Sequence, residues 1–194
     1  MKNFSYVVAD AKTREAVIFD PAWDVPKLLR ILNVNSFKLL YVINTHSHND
    51  HTEGNRELIL STGSKLVTSE KFAGDSDLKV KDGDELKLGG IILSFLLTPG
   101  HTPESMCILI GDEAVVTGDT LFIGECGRVD IPGGNPSELF ESLSRLKSLD
   151  RSIIVYPGHD YGPFPFTTLR EQIDTNYTLR DRTKEEFVKF MLEP

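Results

Sequence analysis

Cysteines are scarce in this sequence, and long apolar runs are absent. The two cysteines, Cys107 and Cys126, have no CxxC spacing, so neither a disulfide framework nor a zinc knuckle is expected. No apolar run reaches the roughly 18 residues of a membrane-spanning helix. Met1 is not followed by the basic and then apolar stretch of a signal peptide. We therefore expect a protein of the reducing cytoplasm that has no membrane partner.

An excess of positive charge is also absent. The 194 residues carry 21 basic and 29 acidic side chains, which gives a net charge of −8. Because an acidic protein repels phosphate backbones and anionic lipids, this balance argues against nucleic acid and membranes as partners. The length suits one domain with a substantial core, so we predict a single domain over residues 1–194.

All of the histidines lie in patterns that suit a metal site. Three of them belong to the run HxHxDH, and the other two each follow a Pro-Gly pair; the five are His46, His48, His51, His101 and His159. Imidazole is the commonest protein ligand for metals, and a carboxylate such as Asp50 is a usual oxygen partner. Taken singly, His101 and His159 would be ambiguous as ligands, and Asp119 could equally be a turn or capping residue. Together the histidines predict a metalloenzyme.

The candidate ligands follow predicted strands. Apolar runs typical of strands cover residues 39–43, 91–97, 114–117 and 153–156, and they lead into His46, His101, Asp119 and His159 in that order. In an extended loop His46 and His48 can point toward one centre. Asp50 and His51, about one turn further on, can face a second centre. The pattern therefore predicts that the ligands meet at one edge of a sheet.

The rest of the chain alternates between hairpins and strand–helix units. Hairpins are predicted over residues 4–19, 85–97 and 106–117. Helices are predicted over residues 25–32, 53–60 and 137–146, with Ser137 as the N-cap of the last. Residues 65–68 form a strand that completes a βαβ unit, and the tail 167–192 is helical with a break near Thr183. This order predicts two mixed sheets with helices packed outside.

The order and spacing of these residues resemble the metallo-β-lactamase superfamily over nearly the whole chain. The resemblance rests on the hairpin that ends at Asp20-Pro21, the HxHxDH run, His101, Asp119 and His159. It implies an α/β fold of the four-layer αββα type, with two mixed sheets, outer helices and the site at one edge. It also implies two divalent metal ions, zinc first and iron or manganese as alternatives. In that arrangement His46, His48 and His101 hold one ion, Asp50, His51 and His159 hold the other, and Asp119 bridges them.

Within the superfamily, residues 117–130 resemble those of glyoxalase II, the hydroxyacylglutathione hydrolases. This likeness implies that Arg128 contacts an anionic thiol carrier and that Tyr161 is an aromatic substrate contact. A structural salt bridge between Arg128 and Asp130, and ordinary packing of Tyr161, are the alternatives. The tail 167–194 is too short for the separate helical domain that completes the glutathione site of glyoxalase II.

The pattern Cys-Gly-Arg-x-Asp at residues 126–130 is also similar to that of persulfide dioxygenases. That likeness implies one Fe²⁺ held by His46, His101 and Asp119, with open positions for oxygen and substrate. We favour hydrolysis of a hydroxyacyl thioester, a small-molecule thiol conjugate, because all seven ligands of the two-metal arrangement are present. Asp50 would then orient a metal-bound hydroxide as a catalytic residue. A metal-binding module without turnover is the third hypothesis, and a homodimer is left open.

Overall fold

Two mixed β-sheets lie face to face in the computed structural model, which describes residues 2–193. The first sheet contains five strands, β1 (Tyr6–Ala9), β2 (Glu15–Phe19), β3 (Lys38–Ile43), β4 (Lys65–Ser69) and β5 (Leu78–Val80). The second contains six, β6 (Glu85–Leu88), β7 (Ile91–Leu97), β8 (Met106–Ile110), β9 (Ala114–Gly118), β10 (Ile154–Pro157) and β11 (Thr167–Thr168). The predicted hairpins correspond to β1–β2, β6–β7 and β8–β9, which all pair antiparallel.

Helices cover the outer faces of both sheets. They are α1 (Val25–Val34), α2 (Asn49–Thr52), α3 (Asn55–Thr62), α4 (Pro136–Lys147), α5 (Leu169–Thr175) and α6 (Lys184–Leu192), with a 3-10 turn at Tyr177–Leu179. Helices α1 and α3 pack on the first sheet, and α4, α5 and α6 pack on the second. In the part of the chain that the structure describes, no helix combines the length and apolar character needed to cross a membrane.

The alternation of side chains along β2 shows how the layers are held together. Val17 and Phe19 face the second sheet and join Phe95 and Ile108 in the core between the sheets. Ala16 and Ile18 point the other way, into the core beneath α1 and α3. Because successive residues of a strand point to opposite faces, one apolar strand can serve both layers. The predicted αββα sandwich is therefore confirmed.

Parallel pairing brings the carboxyl ends of several strands to the same side. Strands β2, β3, β4 and β5 run parallel in the first sheet, and β9 and β10 run parallel in the second. The chain segments that leave these strands therefore emerge near one another. This topology determines where the functional site lies.

The predicted helix over residues 53–60 has the wrong start. Residues 49–52 already form α2, and α3 begins only at Asn55, after an interruption at Gly54. The Gly54 amide donates a hydrogen bond of 2.7 Å to the Pro21 carbonyl, a tertiary contact that no local pattern shows. As a result Asp50 and His51 lie on a helical turn and not in an extended loop.

Two helix ends also differ from the prediction. The N-cap of α4 is Asn135 and not Ser137, because the Asn135 side chain accepts hydrogen bonds from the amides of Ser137 and Glu138 at 3.0 and 3.3 Å. In the tail, residues 167–168 form β11 against β10, so the helical part begins at Leu169. The predicted break near Thr183 is confirmed, since Thr183 caps α6.

Candidate metal centre

The side chains predicted to bind metal form one cluster where strands of both sheets end. His46 and His48 follow β3, Asp50 and His51 lie on α2, and His101, Asp119 and His159 follow β7, β9 and β10. Five of the seven are buried, and His48 and Asp50 are half-buried. The first sheet thus supplies one half of the cluster and the second sheet supplies the other.

One donor set consists of His46, His48, His101 and Asp119, whose donor atoms all lie within 4.8 Å of one another. The Nδ1 atom of His48 lies 3.0 Å from Nε2 of His46 and 3.2 Å from Nε2 of His101. Three imidazole nitrogens therefore converge on one point.

A second donor set consists of Asp50, His51 and His159. The Nε2 atoms of the two histidines lie 3.2 Å apart. The Asp50 Oδ2 atom lies 3.9 Å from Nε2 of His51 and 3.5 Å from Nε2 of His159. The helical turn α2 places these two neighbouring residues so that both face His159.

Asp119 lies between the two sets. Its Oδ2 atom is 3.6 Å from Nε2 of His101 and 3.3 Å from Nε2 of His159. Its Oδ1 atom is 3.3 Å from Nε2 of His51. One carboxylate can therefore contribute to both sets.

The spacing of these atoms fits bound cations. A four-coordinate metal holds imidazole nitrogens at about 2.0–2.1 Å, which puts two such nitrogens about 3.3 Å apart. The converging nitrogens described above are separated by 3.0–3.2 Å. Asp119 Oδ1 is buried and has no hydrogen-bond partner within residues 2–193, which is costly for a carboxylate oxygen unless a cation contacts it. The cluster could accordingly hold metal in either set.

Hydrogen bonds on the far side of the rings fix the orientation of His46 and His101. His101 Nδ1 lies 2.8 Å from the Arg128 carbonyl, and His46 Nδ1 lies 3.0 Å from the Thr45 hydroxyl. Because a carbonyl can only accept, His101 carries its proton on Nδ1 and presents the lone pair of Nε2 to the cluster. Such partners orient metal-binding imidazoles and raise their basicity.

Asp20 is a site residue that the sequence analysis missed. Its buried carboxylate accepts hydrogen bonds from the amide and hydroxyl of Thr45, at 2.8 and 2.7 Å, and lies 3.0 Å from His51 Nδ1. Both oxygens are therefore occupied, so Asp20 orients His51 and does not complete a metal site. Its place in the site is indicated in the sequence by the position of Asp20 directly after β2, because β2 runs parallel to β3 and ends at the same edge of the sheet.

Burial and neighbouring charges set the ionisation of the cluster. Burial lowers the pKa of His46 and of His101 below the usual value, so both rings are neutral and have a free lone pair. Burial alone would also lower the pKa of His51, but the carboxylates of Asp20 and Asp119 outweigh it and raise the pKa to about 10. Burial would raise the pKa of Asp119, but the neighbouring rings of His159 and His51 outweigh it and hold the pKa well below the usual range.

Two glycines let the backbone pass close to the cluster. A Cβ atom on Gly158 would lie 2.3 Å from Asp119 Oδ1. Gly118 has a φ of 49°, and a Cβ there would lie 2.3 Å from the Thr45 hydroxyl oxygen. Larger residues at these positions would displace a candidate ligand or its support.

A cleft of about 910 Å³ opens beside His101 and Asp119. Both residues predicted as substrate contacts line it. The Tyr161 ring stacks parallel on His159 at 4.7 Å and is 57% exposed, and Phe122 packs edge-on against Tyr161 at 5.2 Å. The Arg128 side chain forms an ion pair with Asp130, which is the alternative that the sequence also allowed. Phe122 and the end of α6 are further lining residues that the sequence analysis did not identify.

Comparison with known proteins agrees with this geometry. The family model described as the metallo-beta-lactamase superfamily matches residues 2–159. The human protein "Persulfide dioxygenase ETHE1, mitochondrial" is 35% identical over 193 residues, which cover 97% of this chain and 76% of that protein. A hydroxyacylglutathione hydrolase from a Polaromonas species is 39% identical over 179 residues, which cover 88% of this chain and 67% of that protein.

Among solved structures, the crystal structure of ETHE1 from Myxococcus xanthus superimposes with a TM-score of 0.93. The two sequences are 35% identical, and the match covers 100% of this chain and 88% of that chain. Both sheets and the helices outside them therefore have counterparts in that protein.

Proposed function

The chain belongs to the metallo-β-lactamase superfamily of metal-dependent enzymes, and we propose that it hydrolyses thioesters of a small-molecule thiol. The observation that carries this proposal is the position of Asp119. Its two oxygens lie 3.3 Å from His51 and from His159, and 3.6 Å from His101. A carboxylate shared by two complete donor sets supports a two-metal site, which is suited to hydrolysis.

The residues that would hold the metals follow from these two donor sets. His46, His48 and His101 would bind one divalent ion, Asp50, His51 and His159 would bind the other, and Asp119 would contribute to both. Mixed imidazole and carboxylate sets accept zinc, iron or manganese. When bound, such ions lower the pKa of a coordinated water to about 7 and polarise a carbonyl oxygen.

The protein's own residues supply orientation and proton transfer. The Asn3 side-chain amide donates a hydrogen bond of 2.9 Å to Asp50 Oδ2, which holds this carboxylate against His159. A carboxylate fixed at this position can accept a proton from a water beside the cluster. Tyr161 and Phe122 form an aromatic face next to His159 that can pack on the apolar part of a substrate and exclude water.

Persulfide dioxygenation is the second candidate function. It is favoured by the similarity to human persulfide dioxygenase over 97% of the chain. His46, His101 and Asp119 would form the two-histidine, one-carboxylate triad that non-haem iron oxygenases use. The first donor set contains this triad, so the same cluster is compatible with either chemistry.

Metal content measured together with two assays separates the candidates. The protein is purified without added metal, analysed for metals, and assayed for thioester hydrolysis and for oxygen uptake on glutathione persulfide. About two metal ions per chain, thioester cleavage and no oxygen uptake are expected. One iron per chain with persulfide-dependent oxygen uptake would replace hydrolysis by the second candidate. Asp119→Asn serves as the inactive background for both assays, because Asp119 belongs to both donor arrangements.

A further inference from the structure

We infer that the cleft selects thiol conjugates without a carboxylate near the sulfur, and that Asp130 determines this preference by neutralising Arg128. The inference rests on the proposed function in taking the ligand to be a thiol conjugate. It reverses the expectation from the family resemblance that Arg128 binds an anionic carrier.

The Arg128 guanidinium already holds a carboxylate in the geometry that a substrate would need. Its Nε and Nη2 atoms donate to Oδ1 and Oδ2 of Asp130, each at 2.7 Å. This two-point contact is the preferred way for arginine to bind a carboxylate, so a substrate carboxylate would have to displace Asp130 from the Nε–Nη2 edge or accept the weaker attraction of a guanidinium that is already neutralised. Hydrogen bonding to Arg128 lowers the pKa of Asp130 to about 2, so the pair keeps both charges at neutral pH.

The other charged side chains of the cleft are acidic. Outside the metal cluster, Glu125, Asp130 and Glu193 line it, and Arg128 is the one lysine or arginine lining it within residues 2–193. The Glu125 carboxylate accepts a hydrogen bond from the Tyr177 hydroxyl. Burial and this bond raise the pKa of Tyr177 to about 12, so its hydroxyl stays a neutral donor. The side chains that line the cleft outside the metal cluster therefore carry a net negative charge, which repels a carboxylate placed among them.

The uncharged part of the lining suits a carbon-rich ligand. Phe190, Met191 and Leu192, at the end of α6, form one apolar wall, and Phe122 and Tyr161 stand beside the metal centre. Burying apolar area against such walls stabilises a complex by roughly 25 cal/mol per Å². The cleft thus favours a conjugate whose thiol portion is apolar and repels one whose thiol portion carries a carboxylate.

A matched pair of ligands tests this preference without relying on turnover. S-hexyl-N-acetylcysteamine and S-hexyl-N-acetylcysteine have the same apolar tail and differ by one carboxylate. Isothermal titration of the metal-loaded full chain should give about fivefold weaker binding for the carboxylate compound. Raising the salt concentration should strengthen its binding, because salt screens the repulsion. An arginine that gripped the carboxylate would give the opposite dependence on salt.

Two variants isolate the role of the ion pair. Asp130→Asn removes the competing carboxylate, so the ratio of the two affinities should fall toward one or invert. Glu141→Gln is the matched control, since it also removes one negative charge and breaks an exposed pair, with Lys184 at 2.9 Å, but does not line the cleft. This control should keep the wild-type ratio.

Three results would overturn the inference: equal or tighter binding of the carboxylate compound by the wild type, binding of neither compound, or an unchanged ratio in Asp130→Asn. These results can be told apart from a failure of the proposed function. If the binding preference is present and no thioester is cleaved, hydrolysis is wrong and the selectivity stands. If thioesters are cleaved with the opposite preference, only the selectivity is wrong.

Discussion

The Asp20 carboxylate lies 3.0 Å from Nδ1 of His51, and both side chains are buried at the edge where the two sheets meet. The contact keeps the proton of His51 on Nδ1 and turns Nε2 toward Asp119 and His159. A residue that contacts no substrate thus controls which nitrogen is available to a metal.

Asp20→Asn should weaken metal binding at the second donor set by about 10- to 100-fold. The amide N–H₂ group would donate to His51 Nδ1 and so move the ring proton to Nε2, where it blocks coordination. Asparagine tolerates the backbone here, where φ is 45°, so the fold should survive. Metal titration against a chelator measures the affinity. Asp10→Asn, in a turn outside the cluster, is the control, and an unchanged affinity in Asp20→Asn would contradict the role given to Asp20.

His159→Ala and His48→Ala each remove one ligand that the single-iron arrangement does not use. For a two-metal hydrolase we expect thioester cleavage to fall on the order of 100-fold or more in both variants, because each donor set loses an imidazole. The measurements are turnover and the number of metal ions per chain. Full hydrolysis with one ion bound in either variant would exclude a two-metal mechanism.

Gly158→Ala should disrupt the cluster although it changes no ligand. The new methyl group would lie 2.3 Å from Asp119 Oδ1 and 2.9 Å from Cε1 of His51, so the carboxylate must move. We expect a loss of roughly 1–3 kcal/mol in the free energy of unfolding, together with weaker metal binding. Chemical denaturation and metal titration test both effects. In Gly63→Ala, where no atom lies within 4 Å, backbone strain alone should lower stability and metal binding should stay intact.

The ion pair between Asp82 and Arg145 should contribute to the free energy of unfolding at neutral pH and lose this contribution in acid. Hydrogen bonding to Arg145 lowers the pKa of Asp82 in the folded protein. The stabilisation by ionised Asp82 is therefore fully present at a pH above the pKa of aspartate in the unfolded chain, about 3.9. It is lost as the pH falls through the lower pKa of Asp82 in the folded protein. Asp82→Asn should cost less than about 1 kcal/mol at neutral pH, because the pair is partly exposed.

Denaturation curves of wild type and Asp82→Asn at several pH values check this expectation. The difference between the two proteins should vanish once Asp82 is protonated in the folded wild type. The exposed turn variant Asp112→Asn should follow the wild type at every pH. A difference between wild type and Asp82→Asn that persisted in strong acid would show that the ion pair is not its source.

The sequence was sufficient to predict that the candidate ligands lie together, because its information is local. Each ligand follows an apolar strand, and the alternation along strands such as β2 is visible in the residues themselves. The start of α3 at Asn55 could not be predicted, since it depends on the contact between Gly54 and Pro21, which are far apart in the chain. Asp20 was overlooked because Asp-Pro is a common turn signal and its partner His51 lies 31 residues away.

The substrate side of the site was harder to predict for the same reason. The wall of the cleft comes from the end of α6, about sixty residues after Arg128, and no periodicity in the tail relates the two. The bond between Arg128 and Asp130 is local, but the sequence allowed it only as one of two readings. Packing of the tail against the second sheet decides which side chains face the ligand.

The division of the donors between the two sheets has a mechanical consequence. Both donor sets draw ligands from the segment that follows β3 and from segments that follow strands of the second sheet. An ion held in such a set acts as a cross-link between halves of the sandwich that are also joined by side-chain packing, by one connecting segment and by hydrogen bonds such as that from the Met106 amide to the Thr45 carbonyl at 2.9 Å. Because a metal that binds only the folded chain adds its binding free energy to folding, loading and sheet association are thermodynamically one process. Removing the ions should therefore weaken the packing between the two sheets before either sheet unfolds.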